Sequence, residues 1–206
     1  MANFTKKFGI KEVADVGFYT VGTVKVDDTN GAVTATADPV LTFDTLKVST
    51  IEFTAEQSEA RGGKGNAPLI IWDYGREANV TLEDALLSMT SMEAMFGDAT
   101  NNNVVTINAN KFPGTYTVVG QTYARDVDGT DHLFTFVIYK AKVQSENTLT
   151  MEAEGDPTVF NMSLRVLRSE KNDATGAADG DMIKLVLAEN TDTHTTPAIA
   201  LPKKTT

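Results

Sequence analysis

Alternating hydrophobic and polar positions, the pattern of half-buried strands, recur along the first part of the chain. Residues 18–26 alternate and run into the Asn30-Gly31 turn signal, which predicts a hairpin with the run that follows. Residues 46–54 predict another strand, and because neither of its faces is purely apolar we expect neighbours to cover both in part. Ala67–Tyr74 and Ala78–Leu82 predict two more strands, joined through residues 75–77.

The second half of the chain is again strand-like. Its predicted strands are Val104–Ala109, Thr115–Arg125, His132–Val143, Thr148–Ala153, Val159–Arg168 and Met182–Leu187. Gly- and Asp-containing turn signals at residues 126–131, 154–157 and 170–181 separate most of them. This pattern predicts a meander of antiparallel pairs.

One segment, residues 82–96, has the spacing of a helix. Thr81 is a candidate N-cap, Glu83 and Asp84 favour the positive end of the helix dipole, and Gly97 is a candidate terminator. The apolar residues that recur at spacings of three and four are Leu82, Ala85, Leu86, Met89, Met92, Met95 and Phe96. We expect that stripe to pack against a sheet.

These elements predict a mainly β protein, an antiparallel β-barrel or sandwich of about ten strands with one flanking α-helix. Residues 1–190 are expected to form a single β-rich domain, since no linker divides them. Residues 191–206 contain two prolines and little periodicity, and predict a flexible C-terminal tail.

Charge and cysteine content exclude several classes of function. The chain has 28 acidic and 18 basic residues, a net charge of -10, so tight binding to nucleic acid through phosphate contacts is disfavoured. Cysteine is absent, which excludes disulfides, thiolate zinc sites and a cysteine nucleophile. The N-terminal segment lacks the apolar run of a signal peptide, and we expect a soluble protein that stays in a cytoplasm, with no membrane partner.

The residues available for chemistry do not form a catalytic set, so we expect no enzyme, no cofactor and no metal. His132 is expected to be a partly exposed residue at a strand end, and His194 lies in the predicted tail. Asp126, Asp128 and Asp131 superficially resemble a calcium loop, but their glycine comes at position four instead of six. We interpret them as a polar hairpin turn. A second acidic cluster, interpreted as solvated, comprises Glu152, Glu154 and Asp156.

A glycine-rich segment, Ala60–Asn66, interrupts the strand pattern. Three glycines in seven residues disfavour a regular element, because each costs extra backbone entropy. The segment is not a P-loop, since Gly65 follows the Gly63-Lys64 pair where a serine or threonine is needed and no helix opens after it. We expect a loop held close to another chain.

The stretch Leu46–Gly97 resembles the tail tube proteins of tailed bacteriophages. Three segments carry the resemblance: FDTLKVSTIEFTAE, ARGGKGNAPLIIWDYGRE and NVTLEDALLSM. It implies a structural virion protein whose subunits join edge to edge into rings, typically hexameric, which stack into a hollow tube through which DNA passes during ejection without tight binding. It also implies assembly in the host cytoplasm, residence in the virion tail, and contacts with sheath, baseplate or terminator proteins.

We expect the glycine-rich segment to be an assembly loop with ion-pair partners around it. The candidate subunit-interface residues are Arg61, Gly62, Gly63, Lys64, Gly65, Asn66, Asp73, Arg76, Glu77 and Asp84. Two alternatives to the tube remain at this point. One is a capsid decoration or head-tail connector protein, and the other is a carbohydrate-binding β-sandwich module, for which the aromatic residues are sufficient in number but unclustered.

Overall fold

The computed structural model describes residues 7–10, 15–97, 104–144, 160–170 and 176–188. The strands are β1 Phe8–Ile10, β2 Asp15–Thr20, β3 Val24–Val26, β4 Val33–Ala35, β5 Leu41–Phe43, β6 Leu46–Gly62, β7 Ala67–Asp84, β8 Thr115–Asp126, β9 Asp131–Val143, β10 Phe160–Leu167 and β11 Ile183–Leu187, and the helix is α1 Met89–Phe96. The predicted mainly β, antiparallel architecture with one helix is therefore confirmed for the described part of the chain.

Nine of the strands form one antiparallel sheet in the order β5-β2-β8-β9-β10-β7-β6, with β1 added to β8 and β11 added to β9. The pairing branches along β9, whose residues 140–143 pair with β10 while residues 134–138 pair with β11. Among the described residues no pairing joins β5 to β6. The sheet is sandwich-like and not a closed barrel.

The middle of this sheet is buried on both faces. Side chains from one face, including Phe18, Val118 and Ile138, belong to the main core cluster, which also contains Leu82 of β7 and Met95 of the helix. Strands β7 and β10 therefore pack over β2 and β8. Side chains from the opposite face form a second cluster with the β3–β4 hairpin, comprising Tyr19, Val24, Val26, Val119, Val137, Tyr139 and Val186.

The helix is shorter than residues 82–96, because β7 continues through Leu82 to Asp84. Residues 78–84 of β7 alternate between buried and less buried positions and pair with β10 on one side and β6 on the other. This pairing outweighs the helical spacing of the apolar residues. The N-cap is Ser88, in a capping box with Ser91, and not Thr81. Gly97 ends the helix in the left-handed conformation at φ 76°, as predicted.

Other boundaries also differ from the sequence prediction. The strand predicted over residues 18–26 is two strands, β2 and β3, separated by a turn at Gly22, where φ is 85°. Val104 makes only an isolated bridge, so the strand Val104–Ala109 is wrong. The short strands β1 and β5 were not predicted. The predicted strand 148–153 and tail 191–206 lie outside the described residues.

Candidate self-association surface

The outer half of the β6–β7 hairpin projects from the sandwich as a two-stranded arm, residues 52–77. Pairing of β7 with β10 ends at the Ala78–Val166 pair. On the N-terminal side of Ala78, residues 67–77 of β7 are all exposed. On β6, residues 52–59 are all exposed as well. At about 3.3 Å per residue, the eleven-residue run from residue 67 to residue 77 reaches roughly 36 Å from the core.

The arm is one hairpin with a bulge instead of two strands and a link. β7 runs without interruption through Gly75, which adopts φ 63°, and the register shifts opposite it between Thr54 and Glu56. A glycine in the left-handed region at a register shift is the signature of a β-bulge, which bends a strand and increases its twist. The glycine that resembled a break between strands therefore bends the arm.

One face of the arm is apolar. Directly opposed residues project from the same face of a strand pair, and the register opposes Ile70 to Ala60, Trp72 to Ser58 and Tyr74 to Glu56. The side chains of Ile70, Trp72 and Tyr74 are each 51–53% exposed. We call this row the apolar face of the arm.

The opposite face is mixed in character. Gln57 opposes Asp73 and donates a 2.8 Å hydrogen bond from Nε2 to its carboxylate. Glu59 opposes the half-exposed Ile71. Near the base of the arm Phe53 is 58% exposed. With Leu69, six large apolar side chains of the arm face solvent, although a soluble monomer rarely displays a contiguous apolar patch without a functional reason.

The tip of the arm is a tight turn over residues 63–66. Gly63, Gly65 and Asn66 all have positive φ, at 78°, 92° and 51°, which explains the glycines of this segment. The amide of Asn66 donates a 3.2 Å hydrogen bond to the carbonyl of Gly63. Ala60, Arg61 and Gly62 belong to β6, so the turn begins three residues later than the predicted loop Ala60–Asn66.

The candidate ion-pair partners do not cluster around this tip. Arg61 pairs instead with Glu59, at 2.6 Å between Nη2 and Oε2, on its own strand. Glu77 stands at the base of the arm and pairs with Arg165 of β10. The arm thus brings together the tip residues and separates them from their expected partners.

The two remaining candidate partners lie apart from each other. Arg76 is an exposed residue at the base of the arm. Asp84 is buried in the sandwich, where it accepts a hydrogen bond from the hydroxyl of Thr45, and it lies at the end of β7 opposite the tip.

The residues considered for chemistry have structural roles in the described part of the chain. His132 is 4% exposed, against the expectation of partial exposure, with Nδ1 3.1 Å from the carbonyl of Ala188 and Nε2 3.4 Å from Asp126. The carboxylate of Asp126 accepts hydrogen bonds from the backbone of the β8–β9 turn, and Asp131 pairs with Arg125. The polar hairpin turn predicted here is confirmed, while residues 152–156 and His194 lie outside the described residues.

Sequence reasoning missed the apolar face of the arm. Its signal was present, because Leu69, Ile70, Ile71 and Trp72 are consecutive apolar residues, but such a run is typical of a strand buried on both faces. The strand that pairs with this run, β6, has no apolar run to match it, since residues 54–59 are polar or small. That mismatch between the two paired strands is the signal of a strand whose apolar side chains are left uncovered by its own hairpin.

Comparison with known proteins gives a match to a protein family. A protein-family model described as the YomU/Tube protein family matches residues 8–104 and 92–180, which include the arm, the helix and strands β8 to β10. No curated protein matches the chain. Within the described residues, the helix is not long and apolar enough to cross a membrane.

Proposed function

Because the chain belongs to the YomU/Tube protein family, we propose that copies of it assemble into stacked hexameric rings that form the hollow tube of a phage tail. Family membership confirms the resemblance carried by Leu46–Gly97 and makes the chain a phage tail tube structural protein. The ring symmetry, the stacking and the passage of DNA are the proposed steps beyond that identity.

The observation that carries the proposal is the exposed arm. A two-stranded hairpin is marginally stable alone in water. This hairpin also leaves the apolar face of Ile70, Trp72 and Tyr74 half exposed. Covering six half-exposed apolar side chains contributes about 1 to 2.5 kcal/mol each, with the largest share from Trp72, before the costs of association. A neighbouring subunit is the partner that a self-assembling family provides.

Open strand edges support ring formation. β5 and β6 end the main path of the sheet, and in the part of the chain that the structure describes no strand pairs with the outer edge of β7 between Ala78 and the tip. Exposed edges template pairing with another chain, and a heterologous edge-to-edge contact closes into a ring when its rotation permits. The sheet would then continue from subunit to subunit around a lumen.

Net charge supports the passage of DNA. Six copies at -10 each carry a formal charge of about -60 per ring, and a conduit that bound phosphates through basic residues would retain the DNA. An acidic lumen would let it slide, although only lining residues act strongly because salt screens exposed charges beyond about 8 Å.

Several further roles belong to the same proposal. The tip residues Arg61–Asn66, together with Asp73, Arg76 and Glu77 of the arm, form the subunit contact. The tube is assembled in the host cytoplasm, resides in the virion tail and joins sheath, baseplate or terminator proteins. A structural tube family supports a role without catalysis.

The test is electron microscopy of negatively stained purified protein over a range of protein and salt concentrations, with light scattering to count subunits. Hollow tubes or stacked rings with six subunits per ring are expected. Closed trimers, or isolated rings at every concentration, would contradict the tube and favour a decoration or connector role.

A further inference from the structure

A cavity of about 400 Å³ lies where the residues before β5, the helix α1 and the start of β8 meet. Two carboxyl-bearing residues line it, Asp38 before β5 and Glu93 on the helix, and its apolar wall comes from Val40 and Tyr116. Asp38 and Val40 are exposed, so the cavity is accessible from outside. Burial raises the pKa of Tyr116 and the negative charge of Glu93 raises it further, so the field of that carboxylate reaches the cavity wall.

The tip of the arm has the opposite charge. Arg61 and Lys64 are the charged residues of residues 60–66, and from Ala60 to Trp72 the sequence contains no acid. In a chain of net charge -10 this is a local positive end on an acidic molecule. Lys64 lies within the turn at the tip of the arm, and it is exposed.

We propose that the tip of the arm of one copy docks in this cavity of the next copy, with Lys64 directed at Asp38 and Glu93. The proposal rests on the tube assembly proposed above and adds the receiving site. The stem of a lysine packs along apolar surface while its ammonium pairs with carboxylates, which matches a cavity walled by Val40 and Tyr116. Because the donor and the receiver are different surfaces of one chain, each copy gives one contact and receives one, as an open stack requires.

Zero-length carbodiimide cross-linking tests the contact directly, since it joins an amine to a carboxylate that already touch. An equal mixture of ¹⁵N-labelled and unlabelled protein is assembled, cross-linked, digested and analysed by mass spectrometry. We expect a peptide containing Lys64 joined to one containing Asp38 or Glu93, with mixed isotope labels that show the link joins two copies. Assembled tubes in which Lys64 joins only other carboxylates, or none, would overturn the docking site and leave the tube standing.

A charge exchange gives an independent measurement. Lys64→Glu is expected to raise the critical concentration for assembly roughly tenfold or more, and adding Asp38→Lys to the same chain to restore most of the loss. Lys25→Glu, at an exposed lysine of β3, is the matched control and should change little. Failure of Asp38→Lys to rescue would overturn the pairing, whereas failure of the native chain to assemble at all would refute the proposed function and the docking site with it.

Discussion

Removing the indole of Trp72 should weaken assembly much more than it weakens the fold. Trp72 lies in the middle of the apolar face and is 51% exposed in the single chain. An aromatic side chain of this size presents roughly 200 Å², of which about half, or 100 Å², remains for a partner to cover. At about 25 cal/mol per Å², Trp72→Ala forfeits about 2.5 kcal/mol per contact, close to a 60-fold change in an equilibrium constant.

The critical concentration for polymerisation, measured by sedimentation, is the quantity that should rise by about that factor. Thermal unfolding of the unassembled variant should be nearly unchanged, because the arm contributes nothing to the two core clusters. Val127→Ala removes a side chain that is 71% exposed at the β8–β9 turn, away from the arm, and serves as the matched control. A critical concentration for Trp72→Ala within twofold of the native value would refute the assignment of the apolar face to an interface.

Three more outcomes follow from other parts of the molecule. The double substitution Arg61→Glu and Lys64→Glu should lower tube yield, counted by microscopy, without lowering the unfolding temperature of the monomer; an unchanged yield would remove the reason for singling out the tip. Gly97→Ala should destabilise the fold by about 3 kcal/mol in denaturant titration, because φ is 76° and a Cβ would come within 2.3 Å of backbone in the loop before β8, whereas Gly129→Ala, with φ 87° and open space, should cost only about 1 kcal/mol. Burial raises the pKa of Tyr19 from 10.0 to about 12, so its contribution to stability is full below pH 10 and is lost as pH rises through 12. Tyr19→Phe should therefore reduce the fall in the free energy of unfolding at alkaline pH. An alkaline profile identical to that of the native chain would contradict this prediction.

Local signals in the sequence were sufficient where turn chemistry sets the structure. Asn30-Gly31 closes the β3–β4 hairpin, and the carboxylate of Asp27 accepts hydrogen bonds from the amides of Thr29 and Asn30 within that turn. Gly97 ended the helix for the same reason, since only a residue without a Cβ fits its left-handed conformation next to the following loop. These positions depend on neighbours close in sequence.

Long-range pairing decided the elements that the sequence misassigned. Leu82 and Ala85 matched a helical stripe, yet the pairing of Leu82 with Met162 on one side and Ser49 on the other fixed it in a strand. Gly75 resembled a break between two strands because glycine is common both at strand ends and at β-bulges. In the candidate site, the glycine spacing located the tip, but the register that aligns Ile70, Trp72 and Tyr74 is set by the facing strand and was not available from either segment alone.

Shortening the arm tests the central claim, self-assembly through this hairpin, most directly. In the variant, residues 55–76 are replaced by Asn-Gly, a two-residue turn that reconnects the paired residues Thr54 and Glu77 and leaves the sandwich intact. Electron microscopy of the native and shortened chains at equal concentration should show hollow tubes for the native chain and no tubes for the shortened chain, whose circular dichroism remains that of a folded β protein. Tubes of equal length and number from the shortened chain would contradict the account.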